Sequence, residues 1–322
     1  MRAVRRSLLA TVVLGWCGCT TPAPGPTVAT PPAPKPAPPP LDTRPLRGPC
    51  TPLAFADTTS VPEASAAAWL TIDGAPALVV TSDSGNRGAY GIIDPETGVT
   101  RETGTWPLGD AGDDVEGLAT RDGKLYGLTS AGWMRVWERR PDHTFALVAG
   151  PYPLGPVDLP PRASTLGTLP PEGAGMVCDS HKSNCGRNYE GLCLAAHPPN
   201  PSCIGFALAK ADGHLYCLAL DGDRLVARHD AAIAVGIPGA MADCAFDDAD
   251  HLYVGANLFG LSHVYRVDGW QATETAHLVD LGVLGSGFPE VVAVRGDVVY
   301  RMSDTGGSPS EMAKFRCSRD ER

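Results

Sequence analysis

The sequence predicts an all-β fold: a β-propeller of five blades whose ring is closed by an N-terminal strand pairing onto the last blade. Three observations carry this. Short apolar runs split by Asp-Gly and other glycine-rich turns dominate the chain, which is the pattern of strands and hairpins. No stretch keeps a helical period over three turns. Five times an acidic residue opens an apolar run: "PEASAA" with Glu63, "VEGLAT" with Glu116, "YEGLCL" with Glu190, "ADCAFD" with Asp243 and "PEVVAV" with Glu290, at spacings of 53, 74, 53 and 47 residues. Four strands recurring at about this period make a propeller blade. A β-sandwich shares the alternation but does not require an equivalent acid in every unit. Six blades are the alternative count, if the insertion described below or an N-terminal segment folds as another blade.

From the N-terminus, Arg2, Arg5 and Arg6 precede the apolar run 7–15, the layout of a signal peptide over residues 1–18. The run is too short for a comfortable membrane span. It ends in "LGWCGC". Cys19, preceded by Gly18, is the expected lipidation site; Cys17, preceded by Trp16, is the alternative. Residues 19–49 are rich in proline, which holds a chain extended and forbids a packed core, so they read as a stalk. The expected location is the cell envelope through a lipid anchor, at the outer membrane in a Gram-negative host, since no Asp follows Cys19. Periplasmic or secreted protein is the other reading.

The propeller is expected over residues 50–322. "CTPLAFADT" is an orphan strand before the first repeat. Each acid-led run is followed by a second ("ALVVTSD", "KLYGLTS", "CIGFALAK", "HLYVGAN", "DVVYRMSD") and a third ("AYGIIDP", "WMRVWER", "HLYCLAL", "SHVYRVD", "EMAKFRC"). A fourth appears in every repeat except the last, where the orphan strand supplies it. A Pro/Gly-rich insertion at 151–189 explains the one long spacing. Trp69, Trp106, Trp133, Trp137 and Trp270 are expected to pack between blades.

Ten cysteines fit export. Cys17 leaves with the signal and Cys19 carries lipid. The remaining eight suggest four disulfides. Cys50–Cys317 would close the ring, and Cys178–Cys185 is local. Cys193, Cys203, Cys217 and Cys244 pair in one of three ways, with Cys193–Cys203 and Cys217–Cys244 the first choice. No CxxC is present, so a zinc site is disfavoured.

The formal charge of −10 becomes −13 once the three signal arginines are removed. No basic stripe suits nucleic acid, and an acidic chain attracts cations. The expected state is a monomer whose partner is a small-molecule or surface ligand.

The first strand of a blade lines the channel, so Glu63, Glu116, Glu190, Asp243 and Glu290 are the expected metal ligands, with Asp113 and Asp114 adding charge at the mouth. Two bare carboxylates about 4 Å apart repel by roughly 4 kcal/mol at an effective dielectric near 20, which protons or a cation must relieve. Ca2+ suits an irregular oxygen-rich site. A second register stands at the end of the second strand: Asp83, Ser130, Lys210, Asn257 and Asp304. Asp83, Lys210 and Asp304 are the candidate catalytic residues there. Lys210 interrupts an apolar run, so it meets a substrate phosphate or pairs with Glu190; the sequence leaves both open. The loops at 221–224 and 247–251 lack the spacing of an EF-hand and read as turns. There is no G-x-S-x-G, and no histidine recurs in register; His181 sits alone in the loop "CDSHKSNC".

The pattern "DVEGLA … LYGL" with "NYEGLCLA … FALAK … LYCLALDG", together with "SDSGN", resembles the SdiA-regulated propellers and the related esterase-like phytase domains. The resemblance covers most of residues 50–317 and rests on short motifs. It implies an exported, calcium-binding propeller, with Glu116 and Glu190 as axial carboxylates and Lys210 carried over from "FALAK"; Asp243 departs from the Glu-Gly pattern. The acid axis is also similar to that of calcium-dependent apyrases. The leading expectation is a phosphoester hydrolase. The alternatives are a non-catalytic binding propeller with structural calcium, and a lactonase or esterase.

Overall fold

The structure, a computed structural model, describes residues 42–155, 177–236, 238–258, 260–272 and 275–321. The signal peptide, Cys17, Cys19 and most of the stalk lie outside them. The chain divides into residues 1–40 and 41–322, and only the second unit is described.

Five antiparallel sheets form five blades. Their strands run outward from the axis in chain order. Blade one is β3 (Ala64–Ile72), β4 (Ala75–Ser82), β5 (Ala89–Ile93) and β6 (Thr100–Thr105); blade two is β7 (Val115–Arg121), β8 (Lys124–Thr129), β9 (Trp133–Arg139) and β10 (Phe145–Pro153). Blade three is β11 (Tyr189–Leu194), β12 (Gly205–Ala209), β13 (His214–Asp221) and β14 (Arg224–Ala234); blade four is β15 (Met241–Phe246), β16 (Leu252–Leu258), β17 (Leu261–Asp268) and β18 (His277–Ser286). Blade five takes β19 (Pro289–Arg295), β20 (Val298–Ser303) and β21 (Pro309–Arg319) from the C-terminus and β1 (Leu46–Leu53) from the N-terminus, with β2 (Thr58–Pro62) also on β21. No helix occurs among the described residues. β1 begins at Leu46, four residues before the expected start of the propeller at Cys50, because Leu46 is fully buried against blades four and five.

Ring closure is covalent. Cys50 stands opposite Cys317 across β1 and β21 and is bonded to it. Cys178–Cys185 closes the small loop in the insertion. The first choice for the other four cysteines is corrected: the bonds are Cys193–Cys244 and Cys203–Cys217. Cys193 and Cys244 lie on the inner strands of adjacent blades, and the Cys217 strand β13 runs beside β12, which follows directly on Cys203. Sequence proximity misled because these bonds join neighbouring strands and neighbouring blades.

Aromatic side chains pack mainly between blades. Trp106 stacks on Trp137 at 4.6 Å, with Tyr90 and Phe145 against them, between blades one and two. Trp270 meets Phe206 and Phe246 between blades three and four. Trp69 meets Tyr300 between blades one and five. These edge and offset contacts add to apolar burial.

The inner strand of every blade carries a bulge at its first turn. In blade two, Val115 faces Thr129 and Gly117 faces Leu128, so Glu116 is the extra residue. The same pairing makes Ser65, Glu190 and Glu290 extra in blades one, three and five. In blade four, Met241 faces Ala256 and Cys244 faces Val254, which places Ala242 at the equivalent position. A bulge re-aims a side chain without ending the ladder. Here it turns one residue per blade toward the axis at one mouth.

Candidate functional site

Glu-Gly-Leu recurs because each of its three positions has a separate task. The Glu is the bulged residue. The Gly faces the next inner strand: a Cβ on Gly117 would lie 2.6 Å from the Leu192 amide nitrogen, and one on Gly191 would lie 2.9 Å from that of Cys244. The Leu enters the core between blades, where Leu118 and Leu192 are buried. Narrow spacing of the inner strands thus brings successive bulged residues together.

Three of the five expected ring members meet. One oxygen each from Glu116, Glu190 and Glu290 lies within 4.8 Å of the other two. A second trio, Asp83, Asp114 and Glu116, meets the same limit, so Glu116 belongs to both.

The other two ring members sit elsewhere, for reasons of register. Glu63 stands two residues before its bulge, where Ser65 takes the place of Glu116. It is equivalent to Asp114 and Asn188, and its backbone is left-handed, at φ 46°. Its Oε2 accepts the Asn86 side-chain amide at 2.6 Å. Asp243 stands one residue after its bulge. A shift of one residue on a strand reverses the side chain's face, so Asp243 occupies the site of Gly117 and Gly191. Its oxygens accept the backbone amides of Cys244 at 2.7 Å and Val292 at 2.9 Å. Neither residue joins a trio.

The second register falls where expected. Asp83, Ser130, Lys210 and Asp304 each directly follow the second strand of their blade, and Asn257 is the penultimate residue of β16. Lys210 Nζ is 3.0 Å from Glu190 Oε2 and 3.8 Å from Glu290 Oε1. The ammonium is therefore engaged in an ion pair, the second of the two readings its sequence allowed. Ser130 Oγ hydrogen-bonds Asp114 Oδ2 and accepts the Asn184 amide at 2.9 Å. That amide lies in the Cys178–Cys185 loop, which also bonds Ala131 and Gly112 through its backbone. Asp304 Oδ1 accepts the Gly306 amide at 2.8 Å. His181 is exposed, 3.6 Å from Asp110.

Burial sets the protonation of the centre. It is the main cause raising the Glu116 carboxyl well above the usual range, with repulsion from Glu190 and Asp83 next. Burial raises Glu190 to about 8 although Lys210 pulls it down. It raises Glu290 to about 7 against the same pull, and Asp114 to about 7 against the Ser130 hydrogen bond. Burial lowers Lys210, but the attraction of Glu190 and Glu290 outweighs it and holds the ammonium above its ordinary value.

Several functional neighbours escape sequence reasoning. Asn188 is 7% exposed; its Nδ2 donates to Glu190 Oε1 at 3.0 Å and its Oδ1 has no partner. Asp114 Oδ1 and Asn257 Oδ1 are likewise buried without a donor. Asn188 was legible as the residue two before a ring Glu, the position of Glu63 and Asp114. Two buried arginines brace the mouth from behind. Arg135 donates to the carbonyls of Leu108 and Gly112, and Arg301 to those of Pro289 and Val291. Arg135 lies on β9 and Arg301 on β20, the third and second strands of their blades, and no repeat marks them.

Acceptor oxygens without donors, clustered with ionisable carboxyls, form a site that favours a hard cation. The residues present fit a divalent ion: three carboxylates, a hydroxyl and amide oxygens lie within the mouth. Beyond the acids the channel opens into a cavity of about 400 Å³ lined by Ala67, Leu118, Leu192 and Phe246, with Asp247 and Asp248 also on its wall.

No family model and no curated protein sequence matches the chain, including the propeller families its motifs resemble. Solved structures do match. Glutaminyl cyclase of Myxococcus xanthus is 16% identical, covering 86% of this chain and 100% of its own, with a TM-score of 0.48. Virginiamycin B lyase of Staphylococcus aureus is 12% identical over 84% and 89%, at 0.41. A 6-phosphogluconolactonase-like protein of Bacteroides fragilis is 14% identical over 81% and 86%, at 0.40. Likeness at this level carries none of those activities over to this chain.

Proposed function

We propose that the mouth of the propeller is a divalent-cation centre, with Ca2+ as its ion, and that the protein is an exported, lipid-anchored propeller using this centre on an oxygen-rich ligand. One observation carries the reading: Asp83, Asp114 and Glu116 offer oxygens within 4.8 Å of one another, and Asp114 Oδ1, deeply buried, has no donor. A buried acceptor left unmet is costly, and three carboxylates with a spare lone pair are a ligand set for a hard ion.

Phosphoester hydrolysis is the reaction class we assign to the centre. A bound divalent ion supplies Lewis-acid polarisation of a phosphoryl oxygen and a water of lowered pKa. Around it, Glu290 and Glu190, raised to about 7 and 8, are the groups placed to hold or move a proton near neutral pH. Lys210 orients these two carboxyls. That ion pair favours a second reading, in which the ion is structural and the mouth binds a ligand without turnover. The anchor at Cys19 rests on the sequence; Cys19→Ala is expected to release the protein from membranes, and unchanged partition overturns it.

The test compares melting in calcium, magnesium and EDTA. Binding to the folded state alone adds about 2.7 kcal/mol at calcium a hundredfold above Kd. Asp114→Asn is expected to erase most of the difference, and the exposed control Glu311→Gln to leave it intact. Identical curves in all three media overturn the cation reading. The same samples, offered phosphomonoesters, nucleotides, phytate and lactones, separate the two readings: calcium stabilisation without turnover selects the binding propeller.

A further inference from the structure

We infer that the mouth is built for two cations, and that the Lys210 ammonium permanently fills one position, leaving a single place for a divalent ion. This rests on the cation reading above. The two carboxylate trios share Glu116 and are otherwise separate. In the Glu116–Glu190–Glu290 trio, Lys210 Nζ contacts two of the three members, at 3.0 and 3.8 Å. Its backbone is held on both sides. The Lys210 amide donates to the Asn188 carbonyl at 2.8 Å, and its own carbonyl accepts the Gly239 amide at 2.7 Å. Only 25% of the side chain is exposed.

The Asp83–Asp114–Glu116 trio differs. Among the described residues no lysine, arginine or histidine forms an ion pair with any of the three. The Ser84 amide donates to Asp83 and the Ser130 hydroxyl to Asp114 Oδ2, the Ser84 side chain also acts on Asp114, and Asp114 Oδ1 has no hydrogen-bond partner on a residue 3% exposed.

A second observation comes from outside the carboxylates. Asn188 is equivalent in blade three to Asp114 in blade two. Its amide is pinned to Glu190 Oε1 through Nδ2, and its Oδ1, also buried, has no partner. The chain thus holds two buried acceptor oxygens at equivalent stations of adjacent blades, one two residues before Glu116 and one two residues before Glu190, and neither has a hydrogen-bond partner. One ammonium against five carboxylates leaves the Asp83 side short of positive charge. A hard divalent ion is the chemical class that fits, with carboxylate oxygens as its ligands. The lysine trio is closed to a second ion because a fixed cation already occupies it.

The experiment is ion stoichiometry on the full-length protein purified in detergent, stripped with EDTA and titrated with calcium by calorimetry, with bound metal counted after gel filtration. Wild type is expected to bind one ion and Lys210→Met, which keeps the stem and removes the charge, two. One ion in both, or two in wild type, overturns the inference while leaving the cation reading intact. No ion in wild type overturns the cation reading, and the inference with it. Should Lys210→Met fail to fold, two charge-neutralising variants that retain the lysine decide. Asp83→Asn is expected to weaken calcium at least about tenfold, roughly 1.4 kcal/mol, beyond any effect of Glu290→Gln. Equal effects or the reverse order place the ion in the lysine trio and overturn the assignment.

Discussion

The Asp243 carboxylate turns away from the channel and accepts the amide of Val292, on the inner strand of the next blade, at 2.9 Å. Its other oxygen accepts the Cys244 amide at 2.7 Å. Asp243 is 1% exposed, and the buried Arg301, whose own pKa burial lowers to about 10, acts on it as an opposite charge. The residue that sequence spacing placed in the ring is a staple between blades four and five.

Removing that staple strands two buried N–H groups. Each costs about 1–3 kcal/mol when left unmet. Asp243→Ala is therefore expected to lower stability by about 2–4 kcal/mol, read as a shift in urea midpoint, while the calcium-induced shift in Tm persists. Loss of the calcium shift with unchanged metal-free stability would return Asp243 to the ion.

The glycines of the two Glu-Gly-Leu motifs make an opposite kind of test. Contact at 2.6 Å from the Gly117 Cβ position is with backbone, which cannot rotate aside. Gly117→Ala is expected to cost about 1–3 kcal/mol, the range for overpacking. Gly123→Ala probes conformation alone, since its φ is 75° and nothing lies within 4 Å. A cost for Gly117→Ala no greater than about 0.5 kcal/mol would show that the inner strands separate freely.

Much of this was legible beforehand. A five-fold recurrence of four short strands has one economical solution, so blade number, strand order and closure by the N-terminal strand could be read from spacing. The register Asp83, Ser130, Lys210, Asn257 and Asp304 was also readable, because it follows the last apolar residue of a regular strand. The ring itself was read less well. A bulge adds one residue without any compositional mark, so Glu63 and Asp243 could not be told from Glu116 by alignment on charge. Asp114 was read as charge at the mouth and Asn188 was legible two residues before a ring Glu, but their unmet oxygens and the two bracing arginines stayed hidden, because those roles come from tertiary contacts that no single repeat encodes.

The Cys50–Cys317 bond spans 267 residues of sequence. In the chain-entropy model a loop of this size stabilises by about 5 kcal/mol. Replacing both cysteines by serine is expected to lower stability by about 2–5 kcal/mol, with the double mutant still folded because β1 and β21 remain paired over Leu46–Leu53. Equal urea midpoints for wild type and the double mutant would mean that the strand pairing alone closes the ring.

Acidity supplies the last test, and its sign separates the metal-free protein from the loaded one. Asp114, Glu290 and Glu190 have folded pKa values raised to about 7, 7 and 8, mainly by burial. Between the ordinary carboxyl range and those values the folded protein binds more protons than the unfolded chain, so stability falls as pH rises. Their contribution is complete below about pH 4 and is lost progressively up to about pH 8. Asp247 works the other way: hydrogen bonds from His251 outweigh burial and lower its carboxyl, so its contribution is present above the ordinary value and lost only in stronger acid. In EDTA, Tm is therefore expected to decline from pH 5 to pH 8. In saturating calcium the ion replaces the protons, so the decline should flatten and the calcium-induced shift should grow with pH. Glu190→Gln, neutral at every pH, should reduce the EDTA slope, whereas Glu311→Gln should not. A metal-free Tm that rises from pH 5 to pH 8 would show that these carboxyls are ionised in the folded protein, with Lys210 and solvent neutralising them.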